Sequence, residues 1–228
     1  ILLLLAVAVT SGLLLVWQTN LFVILIGAIS FLVGIGYSFG PMPISRTPLG
    51  EFFSGFFMGF LIFFLALYIH VFEIFTTNMI YTQQTLLIGV RLPEIIIPFL
   101  ISLPLVIGIG DIMLANNICD IEDDRMNGRR TLPMVIGKKN SLKLLKVSYA
   151  IAYINIACLI IWQQLPLTGF LILLTAVPVA KFLSSFSREP KKETSFVLAV
   201  KSFILVSLSY LVALLSAAIL QPFLPEIL

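Results

Sequence analysis

The sequence is poor in charge. Asp, Glu, Lys and Arg make up only 11% of its 228 residues, where a soluble domain carries about 25%. So few polar residues could not cover a water-soluble fold, which excludes a soluble enzyme, a nucleic-acid-binding domain and a disordered chain. Two cysteines, Cys119 and Cys158, cannot build a disulfide scaffold. The one histidine, His70, has no second His or Cys near it in sequence and reads as no metal site. The alternating strands of a membrane barrel are absent, as is any repeat of about 20–50 residues. A basic segment followed by a small-residue cleavage site is also missing, so no signal peptide is expected. Gly34 and Gly36 lie in an apolar helix rather than after a strand, which excludes a dinucleotide loop.

What fills the chain is apolar surface: 60% of the residues are hydrophobic and the mean hydropathy is +1.11. A bilayer span needs about 20 such residues. Seven apolar segments can be marked, at 1–17, 21–39, 51–72, 93–119, 143–162, 166–183 and 196–221. All are expected to be helices, because an open sheet cannot satisfy its backbone in lipid. The expected fold is therefore an all-α integral membrane bundle of seven transmembrane helices, a single membrane domain over residues 1–228.

Orientation follows from Lys and Arg. The turns at 18–20, 73–92 and 163–165 and the tail after 221 hold one basic residue, Arg91. The turns at 40–50, 120–142 and 184–195, with the adjoining helix ends, hold the other thirteen. That side is expected to face the cytoplasm, with Trp17 and Trp162 in the outer aromatic belt. The net charge of +3 is thus an orientation signal and does not imply nucleic acid. Gly55 and Gly59 form a GxxxG whose simpler reading is an internal packing face rather than a dimer face. Pro98 and Pro104 should kink the fourth segment. Asn155, in mid-span, reads as an interhelical hydrogen bond.

Most of the remaining polarity sits in one stretch, DIMLANNICDIEDDRMNGRRTLPMVIGKK at 111–139. It could be a solvated, self-neutralising loop. Against that, Asp120 and Asp124 are four apart and would share a helix face, and Asn116 and Asn117 would carry that face one turn deeper. Carboxylates with amide oxygens suit Mg²⁺, which is usually held by one or two carboxylates plus substrate phosphates. Arg129, Arg130 and Lys138 follow closely, and Arg matches phosphate oxygens well. The pattern suggests a diphosphate held between Mg²⁺ and basic residues at the membrane surface.

Two stretches carry a resemblance. NNICDIEDDRMNGRRTLP resembles the second Asp-rich motif of the intramembrane aromatic prenyltransferases, the UbiA superfamily, and is most like the 1,4-dihydroxy-2-naphthoate polyprenyltransferases. YSFGPMPISRTPLGE, at 37–51, is similar to that family's YxxGPxPIxYTPLGE turn. The resemblance implies that the seven spans correspond to helices three to nine of a nine-helix fold. It implies a Mg²⁺-dependent transfer of a polyprenyl group from polyprenyl diphosphate to an aromatic acceptor, dihydroxynaphthoate, in menaquinone biosynthesis. Asp120, Asp124 and Asp123 would bind the metal, and Asn116, Asn117, Arg129, Arg130, Lys138, Tyr37 and Arg46 the substrates. The location implied is the bacterial plasma membrane, with the active site facing the cytoplasm. The family's first Asp-rich motif, NDxxDxxxD, does not occur in this sequence. The expectation is a chain truncated ahead of Ile1 and inactive alone. Arg46 stands where the family often has Tyr, and Cys119 where a basic residue is common, which bears on acceptor and diphosphate specificity. Asp111 could line the acceptor pocket or pair with a neighbouring helix, and Tyr37 could touch substrate or pack. Lys191 and Lys192 read as orientation charges or lipid-head contacts. The rivals are the same superfamily with another acceptor (4-hydroxybenzoate, a tetrapyrrole or a glycerol-phosphate lipid), an ion carrier, and a non-catalytic paralogue.

Overall fold

A computed structural model describes residues 2–81 and 86–220. The chain opens with α1 (Leu2–Gln18) and α2 (Leu21–Ser38). Asn20 separates them and caps α2, its side chain accepting from the Phe22 N–H at 3.0 Å. A turn containing the 3₁₀ segment Ile44–Arg46 leads into α3 (Gly50–Gly55). The helix continues through a π-helical stretch, Phe56–Leu61, into α4 (Ile62–Phe75). Strands β1 (Thr76–Tyr81) and β2 (Leu86–Val90) form a two-stranded antiparallel ribbon, pairing Tyr81 with Leu86 and Thr76 with Val90. Next come the long α5 (Leu92–Cys119), the short α6 (Ile121–Met126) and α7 (Leu132–Ile136), and the long α8 (Lys138–Ile161). The chain closes with α9 (Phe170–Leu173), α10 (Ala176–Arg188) and α11 (Phe196–Leu220).

The protein is an integral membrane protein with a helical fold. Among the described residues, six helices are long and apolar enough to cross a membrane: Leu21–Ser38, Gly50–Phe72, Leu92–Cys119, Lys138–Ile161, Leu167–Arg188 and Phe196–Leu220. The first apolar helix, α1, has 17 residues and sits at the lower limit of about 17 for a span. Two expected boundaries move. The fifth segment begins at Lys138 rather than 143, because Gly137 (φ +82°) ends α7 and starts the next helix at once. The sixth runs on to Arg188, its first turns broken between the 3₁₀ segment Leu167–Gly169 and α10. The turn at 73–92 holds the ribbon, and the tail after 220 lies outside the described residues.

Helix α5 lies at the centre and touches α3, the π stretch, α4, α7, α8 and α11. Its contact with α3 and the π stretch is close because Gly55 and Gly59 have no side chains. A Cβ on Gly55 would lie 2.5 Å from the Val106 carbonyl oxygen, and one on Gly59 2.6 Å from the Val106 Cα. The GxxxG is thus an internal face. Pro104 leaves the Leu100 carbonyl without its helical partner. Asn155 of α8 donates to that oxygen at 2.8 Å, and Tyr210 of α11 donates to the next, Ile101, at 3.0 Å.

One core cluster gathers α5, α8, α10 and α11 around Ile118, Leu145, Ile156 and Phe186. A second lies between α2 and the α3–α4 span. There Phe56, Phe60, Phe64 and Tyr68 run along the helix as tilted pairs with ring centroids 5.3–6.0 Å apart, and Phe99 meets Phe60 edge-on at 5.1 Å. The buried Tyr68 hydroxyl donates to Asn20 at 2.9 Å, tying this ladder to the head of α2. Trp17 and Trp162 are exposed, as interfacial side chains are.

A candidate active site where three turns meet

The site forms at the basic ends of the spans, from three turns that lie far apart in sequence. In the first, Gly40 (φ +121°) takes the chain out of α2. Pro43 and the 3₁₀ segment then turn it, with the Thr47 hydroxyl donating to the Ile44 carbonyl at 2.8 Å. Glu51 enters α3 immediately afterwards. In the second, α5 breaks at Asp120 (φ −96°, ψ 11°) and α6 follows at an offset. Gly128 (φ +64°) adopts the left-handed conformation that ends a helix. The third turn, 189–195, is held by Ser195, whose hydroxyl donates to the Glu189 carbonyl at 2.7 Å and accepts from the Lys191 N–H at 2.9 Å.

Direct bonds join these turns. The Arg130 N–H donates to the Arg46 carbonyl at 3.0 Å, so the two sequence motifs touch. Below them, Asn117 donates to Glu51 Oε1 at 2.9 Å, and both side chains are buried. From the third turn, Lys192 Nζ reaches Asp120 Oδ2 at 2.5 Å.

The two carboxylates that the spacing placed on one face meet different partners. Asp120 is 16% exposed, and both its hydrogen bonds fall on Oδ2, from Lys192 and from Asn116 at 3.1 Å. Asp124 is buried and committed: Arg129 Nη1 lies 3.3 Å from Oδ1, and the Thr131 hydroxyl donates to Oδ2 at 3.3 Å. Asp123 points outward from α6, and its carbonyl accepts from Asn127. Asn116 and Asn117 diverge, one to Asp120 and the other to Glu51. Arg46, Arg130 and Lys138 are exposed around the rim. Lys138, Lys192 and Glu193 all lie within electrostatic reach of Cys119 beside Asp120. Tyr37 faces Glu51 and Ser54. It also lines an apolar cavity of about 220 Å³ with Val33, Phe53, Phe57 and Met58. On the outer side of the third turn, Lys191 pairs with Glu189 at 2.6 Å, and the ammonium holds that carboxyl below its ordinary range. Asp111 is remote from the turns; it is buried and accepts a hydrogen bond from Ser148 of α8.

Two residues of the site were not among those the sequence marked. Glu51 stands inside the quoted motif, but only folding shows that it is buried with Oε2 unpartnered. Lys192 was indistinguishable from the other basic residues of its side.

The donors can be tested against magnesium. Among the described residues, no three His, Cys, Asp or Glu side chains converge to hold a metal alone. Magnesium does not require that, since it keeps waters and shares substrate phosphates. Asp120, with Oδ1 outside its hydrogen bonds, and the Asn116 amide oxygen are oxygen donors that fit such a shared ion. Asp124 carries one contact of 3.3 Å on each oxygen, from Arg129 and from Thr131, which leaves lone pairs on both.

A polytopic helical membrane protein with an acidic helix end ringed by cations, beside an aromatic-lined cavity, belongs to a narrow class. Residues 1–208 match the UbiA prenyltransferase family, and the chain belongs to that family. Over 155 residues, 68% of the chain, it is 34% identical to the 1,4-dihydroxy-2-naphthoate octaprenyltransferase of Bacillus subtilis (strain 168). The chain spans 43% of the length of that relative. No solved structure matches.

Proposed function

We propose that the protein transfers a polyprenyl group from polyprenyl diphosphate to an aromatic acceptor, 1,4-dihydroxy-2-naphthoate, as a step towards menaquinone. The observation that carries this reading is the direct joining of the two motif turns, Arg130 to Arg46 above and Asn117 to Glu51 below. The name of the Bacillus subtilis relative supports the acceptor. The Bacillus subtilis relative supports a bacterial plasma-membrane location, and the thirteen-to-one distribution of basic residues supports a site that faces the cytoplasm.

In this reading Asp120 and Asn116 would hold a magnesium ion shared with the diphosphate. Bound magnesium supplies Lewis-acid stabilisation of the departing diphosphate. Arg46, Arg130 and Lys138 bind its outer oxygens, where forked or ammonium donors meet developing negative charge. Asp124 positions the turn by fixing Arg129 and Thr131. Asp123, exposed on α6, is a peripheral ligand. Departure of the diphosphate leaves allylic cation character, which the faces of Phe53 and Phe57 beside Tyr37 can stabilise. The aromatic acceptor, stacked in the same cavity, attacks that carbon, and loss of carbon dioxide from the carboxylated position restores aromaticity.

The test is transfer by the purified full-length protein in lipid vesicles, with farnesyl diphosphate and either dihydroxynaphthoate or 4-hydroxybenzoate. Magnesium-dependent product with the first acceptor, lost in Asp120→Ala, is expected. Equal activity in Asp120→Ala overturns the site. Preference for 4-hydroxybenzoate overturns the acceptor.

A further inference from the structure

Lys192 and Lys191 are neighbours in one turn, yet they face opposite ways. Lys191 pairs with Glu189 at the rim, with both groups in solvent. Lys192 reaches back across 72 residues of sequence to Asp120. The general tendency of basic residues to gather on one side explains neither the direction nor the partner. The turn places it: Ser195 is buried and locks residues 189–195 by bonds to Glu189 and Lys191, so the Lys192 backbone is fixed above Asp120. The side chain itself is 51% exposed and held at its head by Asp120. It is therefore a long arm on a rigid base.

Its partner is the carboxylate best suited to a cation, and an ammonium on Oδ2 competes directly with a metal for the same charge. In the acidic turn Arg125 pairs with Glu122 and Arg129 with Asp124, each at 3.3 Å, while Arg130 and Lys138 are exposed at the rim. We propose that Lys192 is a diphosphate-binding residue that rests on Asp120 until substrate arrives. It then yields the carboxylate to the magnesium ion and takes a phosphate oxygen of the prenyl diphosphate. This rests on the functional reading above and deepens it. The exchange is favourable by charge. With Asp120 on the metal, a diphosphate monoester carrying three negative charges leaves two in excess, and the released ammonium offsets one of them. No bond is made or broken covalently. The third turn thereby becomes part of the binding site, a role that neither motif assigns to it.

The exchange predicts effects of opposite sign in one variant. In Lys192→Gln, Mn²⁺ without substrate, followed by its paramagnetic resonance signal, should bind roughly threefold or more tightly, because Asp120 is no longer neutralised. In the same variant, farnesyl thiodiphosphate with Mn²⁺ should bind roughly ten- to a hundredfold more weakly. Lys192→Arg should recover most of the diphosphate affinity, and Lys191→Gln should change neither measurement. Melting temperatures of all variants in the same vesicles confirm folding. Lys192→Gln binding both probes as the unaltered protein does would overturn the proposal, as would weakening of both together. The Mn²⁺ measurement needs no transferase activity. A missing prenyl transfer with the Mn²⁺ gain present therefore sinks the functional reading alone. Transfer that depends on Asp120 but is indifferent to Lys192 sinks this proposal alone.

Discussion

Replacing Gly55 by Ala adds one methyl group in the middle of a helix, a change that helix propensity alone makes stabilising by up to about 1 kcal/mol. The packing predicts the opposite sign. The new Cβ would lie 2.5 Å from the Val106 carbonyl oxygen, whereas ordinary contact begins at 3.4 Å. The obstacle is backbone, so no side chain can rotate away, and α3 must move from α5 by about 1 Å. One helical turn above, the Asn117–Glu51 bond spans 2.9 Å. A bond of this kind tolerates only about 0.3 Å of stretch before it weakens. The shift therefore breaks it and strands a second oxygen on a carboxylate whose Oε2 already lacks a partner. Overpacking costs about 1–3 kcal/mol and an unsatisfied buried polar group about 1–3 kcal/mol.

The expected result is destabilisation of about 2–5 kcal/mol in reversible denaturant unfolding in mixed micelles, with prenyl transfer reduced in parallel. Gly34→Ala is the control. Nothing lies within 4 Å of its Cβ position, so it should be neutral or slightly stabilising. In an Asn117→Ala background the cost of Gly55→Ala should shrink, because the bond it breaks is already gone. Gly55→Ala behaving as Gly34→Ala does would refute the reasoning, and full additivity with Asn117→Ala would refute its second half.

Further expectations follow from the same contacts. Asn155→Leu should cost about 0.6–1.7 kcal/mol by orphaning the Leu100 carbonyl. That cost should fall in a Pro104→Ala background, where the helix supplies its own donor; a double-mutant cycle by unfolding checks both. Asp124→Ala should lower the melting temperature and remove activity irrespective of magnesium concentration, since it leaves Arg129 and Thr131 without partners. Asp120→Asn should melt as the unaltered protein does and instead raise the magnesium concentration required for transfer. Magnesium titrations beside melting curves separate the two, and identical behaviour of both variants would contradict their different surroundings.

The apolar segments, the acidic stretch and the GPxP turn were legible because each is a local pattern. The internal role of Gly55 and Gly59 and the interhelical bond of Asn155 were also legible, from the cost of polar groups and bulk between helices in lipid. The division of labour between Asp120 and Asp124 was not. Four-residue spacing can place both on one side of a helix, but it does not say which partners each carboxylate meets. Asn116 and Asn117, four and three residues before Asp120, flank its direction on one helix face, yet each serves a different partner. Glu51 and Lys192 were hidden for a stronger reason. Their significance lies in contacts 66 and 72 residues away in sequence, and no local pattern encodes those.

Lipid tails are as apolar as leucine, so hydrophobicity cannot decide how helices are rotated against one another. Here polar contacts from α5 do so at successive depths. The Leu100 and Ile101 carbonyls fix α8 and α11, Asp111 fixes α8 again through Ser148, and Asn117 fixes α3 through Glu51. Each contact costs free energy if broken, and each specifies one rotation of one neighbour. The helix that ends in Asp120 is therefore also the helix against which the rest are registered. The first turn reaches Arg130 and Asn117, and the third reaches Asp120, because their spans are clamped to α5 well below the surface. A change in any of these buried pairs should thus be felt at the three turns as lost alignment, before it is felt as lost fold.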